Sequence, residues 1–366
     1  MSASPGVLLA AGGTGGHLFP AASLAAALAR RGVAVDLVTD DRALKYGADF
    51  PARAIHAVPS ATPTGAGAAS KLVAGATLAR GVVSALALIR RLRPRAVVGF
   101  GGYPTVPPLF AAALMGAPSV LHEQNAVIGR ANRFLASRVS LIATGFPELE
   151  GLGERLRGKA RHTGNPVRPA VLEAAKTPYP DQSGPLNVLV TGGSQGARVM
   201  ADIVPAALAR LSPDERARIR LTQQARGEDK ARVAAECARL QFPVEIEEFF
   251  ADLPARIAAS HLVVGRAGAS TVSELAVIGR PSILVPFPHA LDQDQAANAA
   301  VLAACGAATV VPQPAFTPDR LAQLLRAALN EPARLAASAR AAKAAGAPDA
   351  AERLADLVMG IARPAG

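Results

Sequence analysis

The first candidate for chemistry is a glycine-rich loop that ends in a histidine. The segment Gly12-Gly-Thr-Gly-Gly-His17 follows a short apolar run and precedes a segment of helical periodicity. Glycines in such a turn let backbone N–H groups approach a phosphate or a hydroxyl, and a helix N-terminus adds partial positive charge. Leu18 stands where a dinucleotide fingerprint needs its third glycine, and the loop lacks the Gly-Lys-Ser/Thr of a P-loop. We expect His17 to face a ligand as a general base; the alternative is a tight turn with an incidental histidine.

Two further glycine-rich turns occur in the second half of the chain. Thr191-Gly-Gly-Ser-Gln-Gly-Ala197 repeats the strand–turn–helix pattern, and Gly265-Arg-Ala-Gly-Ala-Ser-Thr-Val-Ser-Glu274 follows a later apolar run. Two such helix starts, together with Arg266, suit a diphosphate without requiring a metal ion. Glu274, one turn into the helix, is the natural acceptor for ribose hydroxyls. Capping pairs between the hydroxyl residues and the glutamate of this segment explain the same residues equally well.

Polar residues also follow other strand candidates. Phe100-Gly-Gly-Tyr-Pro104 and His122-Glu-Gln-Asn125 each end an apolar run, which places both at the carboxyl ends of strands together with the loop of His17. Four consecutive polar residues are hard to explain by packing, although a plain surface loop is the alternative. In the second half, Asp294 and Gln295 at a helix start suit hydrogen bonds to a sugar or an ordinary helix cap.

Excess positive charge is confined to the first half of the chain. The 366 residues include 39 Lys or Arg and 28 Asp or Glu, which gives a formal net charge of +11. Through residue 168 there are 19 basic and 8 acidic residues, and the remainder has 20 of each. No Asp or Glu occurs between Asp49 and Glu123. This distribution indicates that the first half meets an anionic partner.

Short apolar runs alternate with longer helical segments, which predicts an α/β fold with parallel sheets. Strands are predicted, in chain order, at residues 7–11, 33–38, 96–100, 119–121, 187–191, 218–221, 244–246, 262–264, 282–285 and 308–311. Ligands bind outside the carboxyl ends of such strands. We therefore expect two Rossmann-like domains whose sheets face each other across a ligand-binding cleft.

A proline-rich stretch divides the chain, and the strand–turn–helix pattern then restarts at Asn187. The predicted organisation is an N-terminal domain over 1–168, a linker over 169–186 and a C-terminal domain over 187–345. A further helix within 346–366 could pack back on the N-terminal domain.

Composition excludes several classes of protein. Only Cys237 and Cys305 are present, so neither a disulfide framework nor a zinc cluster is expected, and both are interpreted as core thiols of a reducing compartment. The start lacks the basic region of a signal peptide, which predicts a cytoplasmic product. Residues 72–89 are strongly apolar, but Arg80 at their centre would cost roughly 2.5 to 3.5 kcal/mol in a bilayer, so contact with a membrane surface is preferred to a span.

Taken in order, these segments resemble the MurG family of N-acetylglucosamine transferases. The similarity covers nearly the whole chain and is carried by seven motifs at matching spacing. They are Gly12-Gly-Thr-Gly-Gly-His17-x-x-Pro20, Gly101-Gly-Tyr103, His122-Glu-Gln-Asn125, Gly164-Asn-Pro-Val-Arg168, Gly192-Gly-Ser-Gln-Gly-Ala197, Arg266-x-Gly-Ala-x-Thr-Val-x-Glu274 and Gln295-x-x-Asn298.

The resemblance implies a GT-B fold and an inverting transfer of GlcNAc from UDP-GlcNAc to lipid I. Lipid I is undecaprenyl-pyrophosphoryl-MurNAc-pentapeptide, and transfer to its muramyl 4-hydroxyl would give lipid II for peptidoglycan synthesis. By the same resemblance the N-terminal domain binds the acceptor, with Tyr103 as a contact, and the C-terminal domain binds the nucleotide. The implied UDP-GlcNAc contacts are Thr14, Gly15, Gly16, Asn125, Arg168, Ser194, Phe250, Ala269, Ser270, Thr271, Val272, Ser273, Glu274, Asp294 and Gln295.

Inversion requires one displacement, in which a base removes the acceptor proton while UDP leaves from the opposite face. His17 is the predicted base, and Glu123 and His122 are the reserves. Helix N-termini and amides would stabilise the leaving diphosphate, so no cofactor and no metal ion is expected.

A lipid-linked acceptor gives the basic N-terminal domain an anionic bilayer as its partner. The predicted membrane face contains Lys71, Arg80, Arg90, Arg91 and Arg93. Each basic residue near such a surface contributes roughly 1 kcal/mol, and adjacent apolar side chains could enter the interface. The expected location is the cytoplasmic face of the plasma membrane, as a peripheral protein, with other cell-wall synthesis proteins as further partners.

Two other functions stay open at this point. Another UDP-sugar enzyme of the same fold, either a different lipid glycosyltransferase or a UDP-GlcNAc 2-epimerase, would use the same donor motifs. A nucleic-acid binder is suggested by the isoelectric point of about 10.5. The chain has no Trp, only three Tyr and no recognisable nucleic-acid module, so no nucleic-acid partner is expected.

Overall fold

In a computed structural model the chain forms two α/β units. The structure describes residues 5–12, 15–40, 50–61, 68–193, 196–288, 290 and 293–364. The first unit consists of Met1–Arg168 together with Pro348–Gly366, and the second consists of Pro169–Ala347.

The described residues form thirteen strands and fifteen α-helices. The strands are β1 (Val7–Ala10), β2 (Val35–Thr39), β3 (Ala54–Ala57), β4 (Ala96–Gly99), β5 (Ser119–Glu123), β6 (Leu141–Thr144), β7 (Ala160–His162), β8 (Leu186–Thr191), β9 (Ile219–Gln224), β10 (Val244–Glu247), β11 (Leu262–Gly265), β12 (Ser282–Leu284) and β13 (Ala308–Val310). The helices are α1 (Gly15–Arg30), α2 (Ala68–Leu92), α3 (Val106–Leu114), α4 (Arg130–Leu135), α5 (Glu154–Arg157), α6 (Pro169–Ala174), α7 (Arg198–Leu208), α8 (Pro213–Ala217), α9 (Gly227–Arg239), α10 (Leu253–Ala259), α11 (Ala269–Ile278), α12 (Asp294–Ala304), α13 (Pro318–Asn330), α14 (Pro332–Ala345) and α15 (Ala350–Ile361).

Each unit has one sheet, and all the strand pairs are parallel. The strand order is β3-β2-β1-β4-β5-β6-β7 in the first sheet and β10-β9-β8-β11-β12-β13 in the second. In the first sheet Val7 lies opposite Val35 on one side and opposite Ala96 on the other. The direction of winding reverses between β1 and β4, and likewise between β8 and β11. Such switch points open a crevice at the carboxyl ends of the strands, where ligands of doubly wound folds bind.

The central strand of the first sheet is buried on both faces, as its uninterrupted apolar sequence predicts. Leu8 and Ala10 join a core with α2 and α3, whereas Val7 and Leu9 join a core with α1 and α15. The helix α15 therefore belongs to the first unit although it comes from the far end of the chain. Arg31, directly after α1, reinforces this packing through an ion pair with Glu352 at 2.5 Å.

The segment 169–186, interpreted from sequence as a linker, contains α6 and is bound tightly to the second unit. Arg280, only 1% exposed, donates hydrogen bonds to the carbonyl oxygens of Thr177 and Pro178 as well as to three carbonyls of its own surroundings. Burial lowers its pKa to about 10, which still leaves the guanidinium charged at neutral pH. Lys343 adds a hydrogen bond to the Ala175 carbonyl at 2.8 Å.

The helix α2 has one packed face and one exposed apolar face. On the packed face, a Cβ at Gly81 would lie 2.1 Å from the Pro59 carbonyl oxygen, so only glycine allows this approach. The exposed face carries Leu72, Val73 and Val83, whose exposed fractions are 74%, 67% and 67%. By length and composition, the stretch Ser70–Leu92 is the one described helix that could cross a membrane. Helices that pack on the core of a domain can have the same length and apolar composition, so these two properties alone do not show that α2 crosses a membrane.

The predicted fold class is confirmed, and each of the ten predicted strands overlaps a strand of the structure. The three strands that were not predicted are β3, β6 and β7. The expectation of two core thiols is half right: Cys237 is buried, and burial raises its pKa to about 11, but Cys305 is exposed.

Candidate active site

The loops after β1 and β4 meet at the switch point of the first sheet. Because these strands are neighbours, their carboxyl ends bring His17, near the start of α1, beside Gly102. A Cβ at Gly102 would lie 3.2 Å from His17 Cε1, and the φ of +71° also favours glycine at this position. The imidazole therefore packs against the backbone of the second loop.

The hydrogen bond between His17 and the Gly12 carbonyl oxygen indicates the tautomer of the imidazole. Its Nδ1 lies 3.1 Å from the Gly12 carbonyl oxygen, which can only accept, so Nδ1 carries the proton. In the neutral ring the lone pair is then on Nε2. Burial lowers the pKa of His17 below its ordinary value, and the Gly12 hydrogen bond partly opposes this shift. An imidazole kept neutral with Nε2 as proton acceptor meets the requirement for a general base near pH 7.

His122 does not fit its predicted role as a reserve base. The side chain is fully buried at the end of β5. Its Nε2 donates to the Gly164 carbonyl oxygen at 3.1 Å, and its Nδ1 accepts from Gln124 Nε2 at 3.0 Å. Burial lowers its pKa to about 4. With both nitrogens engaged inside the core, His122 ties two segments of the first unit together.

Glu123 holds the loop after β5 in place. It is 1% exposed, and its Oε1 accepts hydrogen bonds from the backbone and side-chain amides of Asn125 at 3.0 and 3.2 Å. Its Oε2 accepts from the Gly129 amide at 3.0 Å and from Asn132 Nδ2 at 2.6 Å. Burial raises the pKa of Glu123, whereas these four donors lower it. The structure therefore argues against Glu123 as a reserve base and makes it the residue that positions Asn125.

Asn132 connects two loops and was not among the predicted site residues. Besides its bond to Glu123, its Nδ2 would lie 3.2 Å from a Cβ at Gly101, where φ is +86°. The loop after β4 therefore lies close to Asn132 on α4, whose side chain also bonds Glu123 at the end of β5. A single asparagine inside a helical segment gave no sequence signal for this role.

The other predicted residues of the first unit lie at its loop ends. Gly15 and Gly16 begin α1, where backbone N–H groups have no acceptor within the helix. Tyr103 starts a short 3-10 turn, half-buried against the core. Arg168 is half-buried, with its guanidinium carbon 4.7 Å from the centre of the Phe19 ring. Thr14 lies outside the described residues.

In the second unit α11 begins at the switch point between β8 and β11. Its N-cap is Gly268, with no side-chain cap, so the capping interpretation of this segment is wrong. Ala269, Ser270 and Thr271 occupy the first three helical positions. The first backbone hydrogen bond of the helix runs from the Val272 amide to the Gly268 carbonyl oxygen at 3.0 Å. The N–H groups of the three preceding residues therefore take no part in the helical hydrogen-bond ladder. Together with the helix dipole they form a ready site for an anion.

The last three predicted contacts of this segment, residues 272–274, differ in how deeply they are buried. Ser273 is half-buried, and Glu274 lies one turn into the helix with 6% of its surface exposed. Val272 does not fit its predicted role as a ligand contact, because its side chain is fully buried and its N–H is bonded within the helix.

Gln295 and Asp294 form the first turn of α12. Gln295 Oε1 accepts hydrogen bonds from the amides of Phe287 at 3.0 Å and Ala267 at 3.3 Å, so this side chain joins the loops after β11 and β12. The side-chain amide is thereby oriented with its nitrogen as the donor end. Asp294 Oδ1 accepts from the Gln295 amide at 2.9 Å, which is a local contact at the helix start.

Two arginines add positive charge to the second unit near its glycine turns. Arg266 donates to the carbonyl oxygens of Val285 and Pro286 and to Gln313 Oε1 at 2.6 Å. Burial and the neighbouring charge of Arg226 lower its pKa. Because the two positive charges repel each other, an anion in their vicinity would be favoured.

The loop after β8 is only partly described. Ser194 lies outside the described residues, whereas Gly192 and Gly193 bond to the side chain of Gln224, a residue that the sequence predictions missed. Phe250 is 5% exposed, with Arg256 over its ring at 4.4 Å from the centre. A pair of glutamines at the carboxyl end of a strand was the available signal for Gln224.

Two family models match the chain. The glycosyltransferase family 28 N-terminal domain matches residues 7–144, and the glycosyltransferase family 28 C-terminal domain matches residues 187–354. A solved structure of Acinetobacter baumannii MurG is similar with a TM-score of 0.80 and 29% identity, over 97% of this chain and 99% of that one. The UDP-GlcNAc 2-epimerase of Neisseria meningitidis, at 13% identity and a TM-score of 0.67, shares the fold alone.

Full-length relatives are closer in sequence. The UDP-N-acetylglucosamine--N-acetylmuramyl-(pentapeptide) pyrophosphoryl-undecaprenol N-acetylglucosamine transferase of Methylobacterium sp. (strain 4-46) is 59% identical over 360 residues, which is 98% of this chain and 97% of that protein. The protein of the same name from Bradyrhizobium diazoefficiens is 57% identical over 364 residues, 99% of this chain and 100% of its own. With both family 28 domains matched and more than half of all residues shared with these transferases, the chain belongs to the MurG family of glycosyltransferases.

Proposed function

We propose that the chain transfers GlcNAc from UDP-GlcNAc to the muramyl 4-hydroxyl of lipid I, with inversion at the anomeric carbon, and so forms lipid II for peptidoglycan synthesis. The observation that carries this proposal is the identity of 57–59% to transferases named for this reaction, over nearly the whole chain. The loops at the two switch points supply the groups that such a reaction needs.

The second unit is proposed to hold the donor. The amides at the start of α11 and the turn after β8 would bind the diphosphate, with Arg266 nearby as a positive charge. The carboxylate of Glu274 would accept hydrogen bonds from the ribose, and the Gln295 amide would donate to a hydroxyl of GlcNAc. Phe250 would lie near the uracil.

The first unit is proposed to supply the base and the acceptor contacts. His17 Nε2 takes the proton of the muramyl 4-hydroxyl while its oxygen attacks the anomeric carbon. The bond from that carbon to the diphosphate oxygen breaks, and its electron pair leaves with UDP. Amide groups that face the diphosphate stabilise the charge that develops there. Tyr103 would contact the acceptor, and Gly15, Gly16, Asn125 and Arg168 would complete the contacts to UDP-GlcNAc.

Product analysis tests this proposal directly. Purified protein incubated with radiolabelled UDP-GlcNAc and a soluble lipid I analogue should give a labelled disaccharide, and label should stay on the nucleotide when the analogue is omitted. Conversion of the donor to UDP-ManNAc without any disaccharide would contradict it and favour the epimerase. Transfer to a different lipid acceptor only would replace lipid I as the substrate.

A lipid-linked acceptor requires the enzyme to reach a membrane, and we propose that α2 provides the contact. Exposed residues recur every three or four positions along one helix face: Leu72, Ala76, Arg80, Val83, Ala87 and Arg90. Apolar side chains flanked by arginines on a helix already packed on its other face suit the surface of an anionic bilayer. The proposed location is therefore peripheral, on the cytoplasmic face of the plasma membrane.

Removing positive charge from the end of α2 should weaken membrane binding. The triple change of Arg90, Arg91 and Arg93 to Gln is expected to lower partitioning onto phosphatidylglycerol-containing vesicles about ten-fold or more, because each basic residue contributes up to roughly 1 kcal/mol. Sedimentation with vesicles measures this effect, and UDP binding should not change.

A matched control removes three exposed arginines from the second unit. Changing Arg220, Arg239 and Arg340 to Gln lowers the net charge equally and should leave vesicle binding within about two-fold of wild type, because binding would depend on local rather than total charge. Equal losses for the two triple variants would show that net charge alone drives binding and that α2 is not the membrane face.

A further inference from the structure

Gln224 ends β9 with a side-chain amide that bridges two loops of the second unit. The residue is 6% exposed. Its Oε1 accepts from the Thr191 hydroxyl at 2.9 Å and from the Gly192 amide at 3.1 Å. Its Nε2 donates to the carbonyl oxygens of Gly193 at 3.0 Å and Glu248 at 3.1 Å. All four of these bonds therefore go to residues just at or beyond the carboxyl ends of neighbouring strands.

The turn that Gln224 holds has little room for adjustment. A Cβ at Gly192 would lie 2.1 Å from the Ala197 amide nitrogen, and Gly193 has a φ of +79°. Thr191 extends the network, because its hydroxyl oxygen also accepts from the Gly193 amide at 3.3 Å. Since glycines lack side chains that could pack, this turn is held by the hydrogen bonds of Thr191 and Gln224 together with the bond from the Gly196 amide to the Gly193 carbonyl oxygen at 3.0 Å.

The second loop that Gln224 holds follows β10. The bond to the Glu248 carbonyl lies two residues before Phe250, whose ring is covered by Arg256. β9 lies between β8 and β10 in the sheet, so one amide at its end can reach the loops on both sides. One side chain thus sets the spacing between the turn after β8 and the segment that leads to Phe250.

We infer that Gln224 is a positioning residue for the nucleoside diphosphate. It touches no ligand itself, but it fixes the glycine turn that faces the diphosphate and the loop that leads to the base. This inference rests on the proposed function, because it takes UDP-GlcNAc as the molecule that the two loops bind. Without the side-chain amide the two loops are no longer joined, so donor binding must also order them. The entropy lost in this ordering weakens the affinity for the donor.

The neighbouring Gln223 provides a matched control. It is fully buried in the same strand, and its Nε2 has one weak bond, to the Met200 carbonyl oxygen at 3.4 Å. Because side chains alternate along a strand, it points away from the face that Gln224 uses. A change of glutamine to methionine keeps the length of the side chain at both positions and removes its hydrogen bonds.

Three measurements test the inference: steady-state kinetics, calorimetry of UDP binding, and thermal unfolding of each variant. Gln224→Met should raise KM for UDP-GlcNAc and Kd for UDP about ten-fold or more, with kcat within about three-fold of wild type. Gln223→Met should leave KM and Kd within about two-fold of wild type, even if it lowers the melting temperature as much as Gln224→Met does. Gln224→Glu keeps the accepting oxygen but sets a charge against two carbonyls, so it should weaken UDP at least as much as methionine does.

These measurements distinguish a failure of the positioning role of Gln224 from a failure of the proposed function. If the wild type binds UDP and Gln224→Met binds it equally well, the positioning role is refuted while the proposed function stands. Equal increases in KM for Gln223→Met and Gln224→Met would mean a general loss of packing and would also refute it. If the wild type neither binds UDP nor transfers GlcNAc, the proposed function itself is refuted.

Discussion

Replacing His17 with alanine should lower kcat by about 10²- to 10⁴-fold, the usual contribution of a positioned general base. Binding of UDP-GlcNAc should stay within about three-fold of wild type, because the lost imidazole acts on the acceptor hydroxyl and not on the donor. Single-turnover kinetics with a lipid I analogue, together with calorimetry of donor binding, measures the two effects separately. Turnover close to that of wild type would move the base elsewhere.

His56 offers a matched control for this variant. It is a half-buried histidine of the same unit, on β3 at the edge of the sheet, two strands away from β1. Burial lowers its pKa as it does for His17. His56→Ala should therefore reproduce the loss of a half-buried imidazole without loss of turnover. An equal loss of kcat in both variants would indicate a general disturbance of the first unit.

The pH dependence should follow the same residue. Burial lowers the pKa of His17 below its ordinary value of 6.5, so the neutral ring persists to lower pH than in a free histidine. The acid limb of kcat/KM should accordingly fall below pH 6.5, with activity lost as the pH drops through the lowered pKa. The limb should disappear in His17→Ala.

The second large effect is expected at Glu274. Glu274→Gln should raise KM for UDP-GlcNAc about 100-fold, since charge-assisted hydrogen bonds to ribose hydroxyls contribute roughly 1.5 to 3 kcal/mol each. The change keeps the size of a side chain that is 6% exposed, so the unfolding temperature should change little. A smaller effect on kcat is expected, because the ribose is remote from the bond that breaks.

Donor analogues show whether the effect of Glu274 acts through the ribose. Wild-type enzyme should bind 2′-deoxy or 3′-deoxy UDP-GlcNAc less tightly than UDP-GlcNAc, whereas Glu274→Gln should no longer distinguish the parent from at least one of them. Full discrimination in the variant would place the ribose contact on another residue, and Glu274 would then stabilise the start of α11 only.

Much of the fold could be predicted because the central strands carry their own signal. β1 and the centre of β8, residues 188–190, are apolar runs followed by glycine turns, which is the sequence of a buried parallel strand before a helix. β7 gave no such signal, because Ala160-Arg161-His162 lies at the sheet edge with two exposed side chains. β3 and β6 have four residues each, and neither ends in a glycine-rich turn like those after β1 and β8. Their place depends on pairing with a neighbouring strand, which local sequence does not record.

The site was predicted less completely, for a physical reason visible at β5. The pattern predicted a strand that ends at Leu121 and a polar loop after it, but β5 continues through Glu123 and buries all five of its residues. His122 and Glu123 were therefore assigned to chemistry by residue type alone. Only the tertiary contacts reveal that one bonds to Gly164 and the other to the loop that carries Asn125. His17 could be placed in advance because its position depends on one local turn.

The structure of the sugar linkage that the wild-type protein makes is the most direct test of the proposed reaction. Proton NMR of the product from UDP-GlcNAc and a lipid I analogue should show one new β-linked GlcNAc on the muramyl 4-oxygen, with an equal amount of UDP released. An α-linkage would contradict a single inverting displacement with His17 as base. UDP-ManNAc without a disaccharide would contradict the transfer reaction itself.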